Sequence, residues 1–389
     1  MQWMVSKTNL SQEQVLLIDK CVKSTESCHW IQGFAGSGKT IILVHAMEDI
    51  KALYPTISIC FVTYTHALKD MVGSGLSEKS KKIPILTVDA FLREGKKYSI
   101  VLADEIQDIE AWKLKKLQSL CDRLIIAGDV EQSIYVNGVS GIEIESLLRP
   151  ITDPLTVLYR LTQSLVRIAQ TILPNTSISG AIMHRQQDTD IILAKANSLE
   201  SESKWVLERA QILAKPGYPA VILLPSQNSI FKFIEDAARI KGITTPQKAY
   251  IENKYSKYSK IDWDAINDDL RGKGIIIRYL GSGFGDLLES DAGSIIYIMT
   301  YHSVKGLDFQ SVFLPQMNSY TELWKNDQNL ERRLFFVGVT RSRENLFISY
   351  SSEKPHYLVQ DLPEKSLQIR SCDDAQTKAN VSEEEIHLF

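Results

Sequence analysis

Gly33-Phe34-Ala35-Gly36-Ser37-Gly38-Lys39-Thr40 has the residue types and spacing of a phosphate cradle. Its glycines, Gly33, Gly36 and Gly38, with Ser37 between them, let backbone N–H groups converge on phosphate oxygens. A helix starting there adds partial positive charge at its N-terminus. Lys39 would reach the β- and γ-phosphates, and the Thr40 hydroxyl would ligate Mg²⁺. About 65 residues further on, the apolar run Ile100-Val101-Leu102-Ala103 ends in Asp104-Glu105. Asp104 would hold the same Mg²⁺, directly or through water. Glu105 would orient and deprotonate an attacking water. A carboxylate beside the metal ligand favours hydrolysis over transfer to a bound acceptor.

Both sets of residues need strands to deliver them. Cys28–Gln32 is an apolar run before the glycine loop, and Thr40–Leu53 after it has helical spacing. Comparable apolar runs recur at Ile57–Tyr64, Ser99–Ala103, Arg123–Ala127, Leu155–Tyr159, Ile191–Ala194, Ala220–Leu224, Ile275–Tyr279, Ile295–Thr300, Ser311–Leu314 and Asn345–Tyr350. Runs this continuous read as strands buried on both faces of a mostly parallel sheet. Helical patterns such as Ser11–Lys23, His66–Met71, Gln163–Ile172 and Ser203–Ala214 lie between them, so the fold class is α/β with helices on both faces. Ser11 and Gln14 have the spacing of a helix capping box. The pattern divides into a first lobe, residues 1–146, and a second, residues 147–352, with Leu147–Pro154 as the expected linker. A tail from Glu353 to Phe389, with the acidic run Glu383–Glu385 near its end, is expected to be loosely packed or disordered.

Apolar residues make up 44% and charged residues 23%, enough for a packed core. The net charge of −3 excludes coating of nucleic acid by bulk charge but leaves local patches open. No apolar run approaches the roughly 18–20 residues that span a bilayer, and the first ten residues lack the pattern of a signal peptide. Five cysteines without a CxxC pair fit a reducing compartment, so a cytoplasmic location is expected.

Asp104-Glu105-Ile106-Gln107-Asp108 followed by Gly128-Asp129-Val130-Glu131-Gln132-Ser133-Ile134-Tyr135 resembles motifs II and III of the UvrD/Rep/PcrA group of superfamily-1 helicases. The other motifs appear in the same order. Asn9–Gln14 is similar to the Q motif, Phe61–Ala67 to motif Ia, Thr87–Phe91 to motif Ib and Leu158-Tyr159-Arg160 to motif IV. Met299–Phe309 is similar to motif V and Glu331–Arg341 to motif VI. The resemblance implies two RecA-like lobes with ATP and Mg²⁺ in the cleft between them. It assigns Gln14, the phosphate loop, Asp104, Glu105 and Gln132 to the first lobe. Arg160 and Arg341 would come from the second, as arginine fingers, with Gly306 and Asp308 near the nucleotide sugar. It implies contacts to a single strand from Tyr64, Thr65, His66, Thr87, Phe91, Tyr135, Thr300 and His302.

The chain departs from the group in two ways. After Tyr135 comes Val136-Asn137-Gly138, where the larger relatives carry a base-stacking Trp. Only 37 residues separate His66 from Asp104, too few for the group's extra domain. A reduced insertion near residues 241–293 is what the second lobe can hold. Lys79–Lys97, and Lys248–Lys260 with its interleaved tyrosines, are the candidate basic tracks. The resulting expectation is an ATP-driven translocase on single-stranded DNA, moving 3′ to 5′, with RNA left open as the substrate. The alternative is a nucleotide-gated switch that controls a partner, such as a nuclease in a defence or repair complex.

Overall fold

The computed structural model describes residues 3–130, 133–134, 138–174, 178, 182–185, 187–251 and 260–373. In the first lobe, strands β1 (Cys28–Gly33), β2 (Ile59–Thr63), β3 (Ile85–Thr87), β4 (Tyr98–Ala103), β5 (Cys121–Gly128) and β6 (Ile151–Leu155) pair in parallel, in the order β3-β2-β4-β5-β1-β6. Alternate side chains of each strand enter different cores, as the two-residue period of a strand requires. Ile31, Phe61, Leu102 and Ile125 point to one side, and Trp30, Val62, Val101 and Leu124 to the other. Helices α1 (Gln12–Lys23), α2 (Lys39–Leu53) and α3 (His66–Gly75) cover the first face. Helices α4 (Val88–Glu94), α5 (Ala111–Ser119) and α6 (Gly141–Leu148) cover the second.

A short connection follows, built from α7 (Gln163–Ile172) and the parallel pair β7 (Val157–Leu158) and β8 (Ile182–Met183). The second lobe holds β9 (Asp190–Lys195), β10 (Ala220–Leu224), the two-stranded pair β11 (Tyr250–Ile251) and β12 (Lys260–Ile261), β13 (Ile277–Tyr279), β14 (Ile296–Thr300), β15 (Phe309–Leu314), β16 (Ser342–Tyr350) and β17 (Gln368–Ser371). Its main sheet is parallel, ordered β13-β14-β10-β15-β16-β9-β17. Helices α8 (Leu199–Leu213), α9 (Gln227–Ile240), α10 (Trp263–Gly272), α11 (Glu289–Ala292), α12 (Gln328–Val339) and α13 (Tyr357–Gln360) complete it. Val221, Tyr297, Val312 and Leu346 join the same apolar core as Ile31 and Phe61. The two lobes therefore share a continuous core.

Two expectations change. Leu147–Pro154 is not a linker: α6 ends at Arg149 in a left-handed cap, and β6 then pairs with β1. Its two prolines and an aspartate read as a turn, but β6 is an edge strand, where a proline's missing N–H costs no ladder bond. Asp153 is held by Lys20 and His29. The tail from Glu353 packs as far as it is described: Leu358, Val359 and Leu362 are buried, and β17 lies beside β9. Its elements are too short to show a period. Within 241–293, Ile277–Tyr279 is an edge strand of the main sheet, and Trp263 stacks on Tyr279 at 4.0 Å. The acidic run and most of Lys248–Lys260 lie outside the described residues. No helix among the described residues is long and apolar enough to cross a membrane.

Candidate nucleotide and strand sites

The phosphate loop links β1 to α2, with Gly36 at φ +78° and Gly38 at φ +87°, the left-handed region that favours glycine. A Cβ at Gly36 would lie 2.7 Å from the Cβ of Arg160, and one at Gly38 would lie 2.5 Å from Nε2 of Gln14. Both glycines are required by close approach. Lys39 is buried, and its Nζ spans the loop, donating to the carbonyls of Gly33 at 2.7 Å and Phe34 at 3.0 Å. Burial lowers the Lys39 pKa, opposed by Asp129, Glu105 and Asp104.

β4 delivers Asp104 and Glu105 at its C-terminal end, as the apolar run predicted. Thr40 Oγ1 donates to Asp104 Oδ2 at 2.5 Å. A hydroxyl and a carboxylate in contact form an oxygen set suited to Mg²⁺. Burial raises Asp104 to about 7, with the charge of Glu105 adding to the rise. Burial also raises Glu105, but Lys305, Lys39 and Arg341 outweigh it and hold that carboxylate below its ordinary value. Glu105 takes a left-handed backbone, φ 54°, and accepts a hydrogen bond from the Gln107 amide. The Gln107 Oε1 in turn accepts from Asp129 N at 3.1 Å, which ties Glu105 to the end of β5.

These groups line a cavity of about 640 Å³ between the lobes. Gln14, Gly36, Gly38, Lys39, Thr40 and Glu105 enter from one side; Gly306, Asp308 and Arg341 enter from the other. Arg160 was expected with the second lobe, but Tyr159 N donates to Gly36 O at 3.0 Å, so Arg160 sits on the phosphate loop. Arg341 donates to the carbonyls of Val337 and Leu307 and to Thr340 Oγ1. Burial pushes Arg341 down to about 9, and the like charge of Arg160 adds to the shift. Two buried guanidinium groups that repel each other across a cavity make a site for an anion. Asp308 accepts from Arg160 at 3.4 Å and Arg343 at 2.8 Å, so its carboxylate is an arginine clamp in this structure. Gln14 completes the Ser11 capping box and donates to Ser37 O at 3.4 Å, joining α1 to the loop. Gln132 lies outside the described residues.

A second, shallower cleft of about 250 Å³ also opens between the lobes. Tyr64, Thr65, His66, Thr300 and His302 line it together with Gly281, Ser282 and Ser303. Thr87 and Phe91 are not among them. The Thr87 hydroxyl caps α4 at Ala90 N. Phe91 is 1% exposed and stacks on Tyr98 in the first lobe's core, because its spacing places it on the inner side of α4. Burial, aided by Lys305, lowers His302 to about 4 and leaves a neutral ring, which packs 5.2 Å from that of Trp324. Tyr135 lies outside the described residues. The proposed track around Lys79–Lys97 is partly neutralised: Lys81 pairs with Glu78 and Lys97 with Asp122.

Residues 283–353 match the UvrD-like helicase C-terminal domain family, and residues 18–138 match the AAA domain family. The chain is UvrD/Rep/PcrA-like. It is 34% identical over 77 residues to a probable DNA helicase II homolog of Rickettsia conorii, covering 18% of this chain and 12% of that protein. It is 27% identical over 185 residues to the ATP-dependent DNA helicase PcrA of Staphylococcus aureus, covering 43% of this chain and 23% of that one. The matched part is thus less than a quarter of either relative's length. The solved structure of the PRRSV helicase aligns with a TM-score of 0.44 and 14% identity, over 90% of this chain and 57% of that one.

Several residues of this UvrD-like chain were missed at the sequence level. Trp3, Met4 and Val5 line the same cavity, next to Asn9 and Leu10 of the Asn9–Gln14 segment. The apolar residues ahead of the Ser11 cap were the available signal. Arg343 and Arg185 also line the cavity, and Arg343 lies two residues beyond the motif that pointed to Arg341. Lys305, inside the motif V segment, is buried and reaches across the lobe boundary: its Nζ lies 2.6 Å from Asp108 and 3.9 Å from Glu105. Arg333 likewise reaches across, donating to Ser133 O at 3.0 Å.

Proposed function

We propose that the chain hydrolyses ATP with Mg²⁺ and uses the cycle to move along single-stranded DNA, 3′ to 5′. The observation that carries this reading is that one segment, residues 300–308, lines both interlobe clefts. A change at the nucleotide therefore has a short route to the strand, and the reverse. Lys39 and the loop N–H groups bind the phosphates. Thr40 and Asp104 would hold Mg²⁺, which would supply Lewis-acid stabilisation of the phosphoryl oxygens. Glu105 takes the proton of the attacking water. Arg160 and Arg341 stabilise charge that develops on the γ-phosphate. Lobe closure brings Arg341 to the phosphates, and hydrolysis releases it.

Tyr64, His66 and His302 offer rings for bases, and the Thr65 and Thr300 hydroxyls lie beside them for phosphates. Phosphate release measured with and without an oligothymidylate tests the reading. Strong stimulation by the strand is the expected result. Flat hydrolysis together with no strand binding would sink the motor and favour a nucleotide-gated switch. A strand blocked at its 3′ or 5′ end by streptavidin then reads direction, and an oligouridylate compares RNA.

A further inference from the structure

Lys305 lies midway along the segment that lines both clefts. Thr300, His302 and Ser303 face the strand cleft, while Gly306 and Asp308 face the nucleotide cavity. Between them the Lys305 side chain leaves its own lobe for the carboxylates that follow β4. Its side chain is 3% exposed, and that of Asp108 is 0% exposed. Burying an ammonium is costly unless a nearby opposite charge offsets it. Asp108, at 2.6 Å, is its partner; Glu105, at 3.9 Å, feels the charge without receiving the short contact. Lys305 is thus anchored by one carboxylate and bears on the other.

Glu105 consequently has two supports. Gln107 holds it from its own lobe, and Lys305 reaches it from the opposite one. The link from Lys305 to the strand cleft is short and stiff. Val304 N donates to Thr300 O at 3.1 Å, Lys305 N to His302 O at 3.4 Å, and Leu307 N to Val304 O at 3.1 Å. Gly306, at φ +82°, packs so closely on α3 that a Cβ there would lie 2.5 Å from a methyl of Leu68. A shift of His302 has little slack to absorb it before it reaches Lys305.

We infer that Lys305 is a positioning residue through which the occupied strand cleft aims Glu105 at the attacking water. A strand on His302 and Thr300 fixes the turn, the turn seats Lys305 on Asp108, and Lys305 sets the Glu105 carboxylate. Without the strand the turn lacks that fixing contact, and hydrolysis idles. This inference rests on the motor reading and adds the route by which a strand stimulates turnover.

The test uses the full chain as wild type, Lys305→Met, Asp108→Asn and the double variant. Four quantities are measured: hydrolysis with and without oligothymidylate, binding of a fluorescent ATP analogue, strand affinity by anisotropy, and melting temperature. Lys305→Met is expected to lower strand-stimulated kcat by about 10²-fold, the scale of a catalytic group misplaced by about 1 Å, while KM for ATP and strand affinity hold. Each single variant leaves one buried group without its charged partner and melts lower. The double variant leaves no unpaired charge, so its melting temperature recovers while its stimulation stays lost. Recovery of wild-type stimulation in the double variant would reduce the pair to packing and overturn the inference. Full stimulation in Lys305→Met would overturn the coupling alone. A wild type that no strand stimulates would overturn the motor reading, and the coupling with it.

Discussion

Replacing Glu105 with Gln removes one charge and keeps the size of the side chain. The carboxylate is largely buried, is held below its ordinary pKa by Lys305, Lys39 and Arg341, and lines the cavity between the lobes. Loss of a general base costs about 10²–10⁴ in rate. At about 1.4 kcal/mol per tenfold, that is roughly 3–5 kcal/mol of transition-state stabilisation. ATP affinity should hold or rise, because the lost charge has the same sign as the γ-phosphate. The fold should tolerate the change. Lys305 keeps Asp108 at 2.6 Å, the amide oxygen can still accept from Gln107, and the left-handed backbone at φ 54° suits Gln as well as Glu. A stability change of about 1 kcal/mol would move the melting temperature by only a few degrees. The assay is phosphate release at saturating ATP and strand, with a nucleotide titration and a melting curve. Hydrolysis within about fivefold of wild type, well short of a lost general base, would refute the assignment of Glu105. Lost nucleotide binding would refute the argument that its charge opposes the substrate.

Arg341→Ala should lower kcat steeply, by up to about 10³–10⁵ for a full arginine finger, with nucleotide binding retained, whereas Arg160→Ala should lower kcat and weaken nucleotide binding as well; unchanged turnover in either removes that arginine from the reaction. Phe91→Ala should destabilise the first lobe by about 3–5 kcal/mol without changing strand affinity below its melting temperature, whereas Tyr64→Ala should weaken strand binding by about 1–3 kcal/mol. Calorimetry and anisotropy would separate the two, and an affinity loss confined to Phe91→Ala would reverse the placement. His302 has a folded pKa of about 4 against an ordinary 6.5, so the unfolded chain binds its proton first. Its contribution to stability is therefore constant above about pH 6.5, is lost as pH falls toward 4, and amounts to about 3 kcal/mol. The melting temperature of wild type should fall more steeply over that window than that of His302→Asn, and parallel curves would contradict the burial of His302.

The parallel α/β architecture and the placement of the glycine loop and Asp104-Glu105 at strand ends were legible because they rest on contiguous signals. The glycine loop and Asp104-Glu105 each need an apolar strand before them, and the chain spells both out. The edge strands were less legible. β3, β6 and β17 are short or carry turn residues, because an edge position neither buries both faces nor needs every N–H. Motif position alone placed Phe91 and Thr87 at the strand, but α4 turns one into the core and uses the other as a cap. The cross-lobe contacts of Lys305 with Asp108 and of Arg333 with Ser133 join residues far apart in the chain, which no local pattern encodes.

The tether from Tyr159 N to Gly36 O has a mechanical consequence. In the proposed cycle the nucleotide would be gripped by a vice with one fixed jaw and one sliding jaw. Arg160 belongs to the fixed jaw, since its backbone is laced to the loop that holds the phosphates and follows directly from the first sheet's edge strand. Arg341 belongs to the sliding jaw, carried at the end of α12 beside β16. In that cycle Arg160 would meet any nucleotide that enters, and Arg341 would act once the vice closes. Two residues of one chemical kind thus divide the labour of holding and of timing.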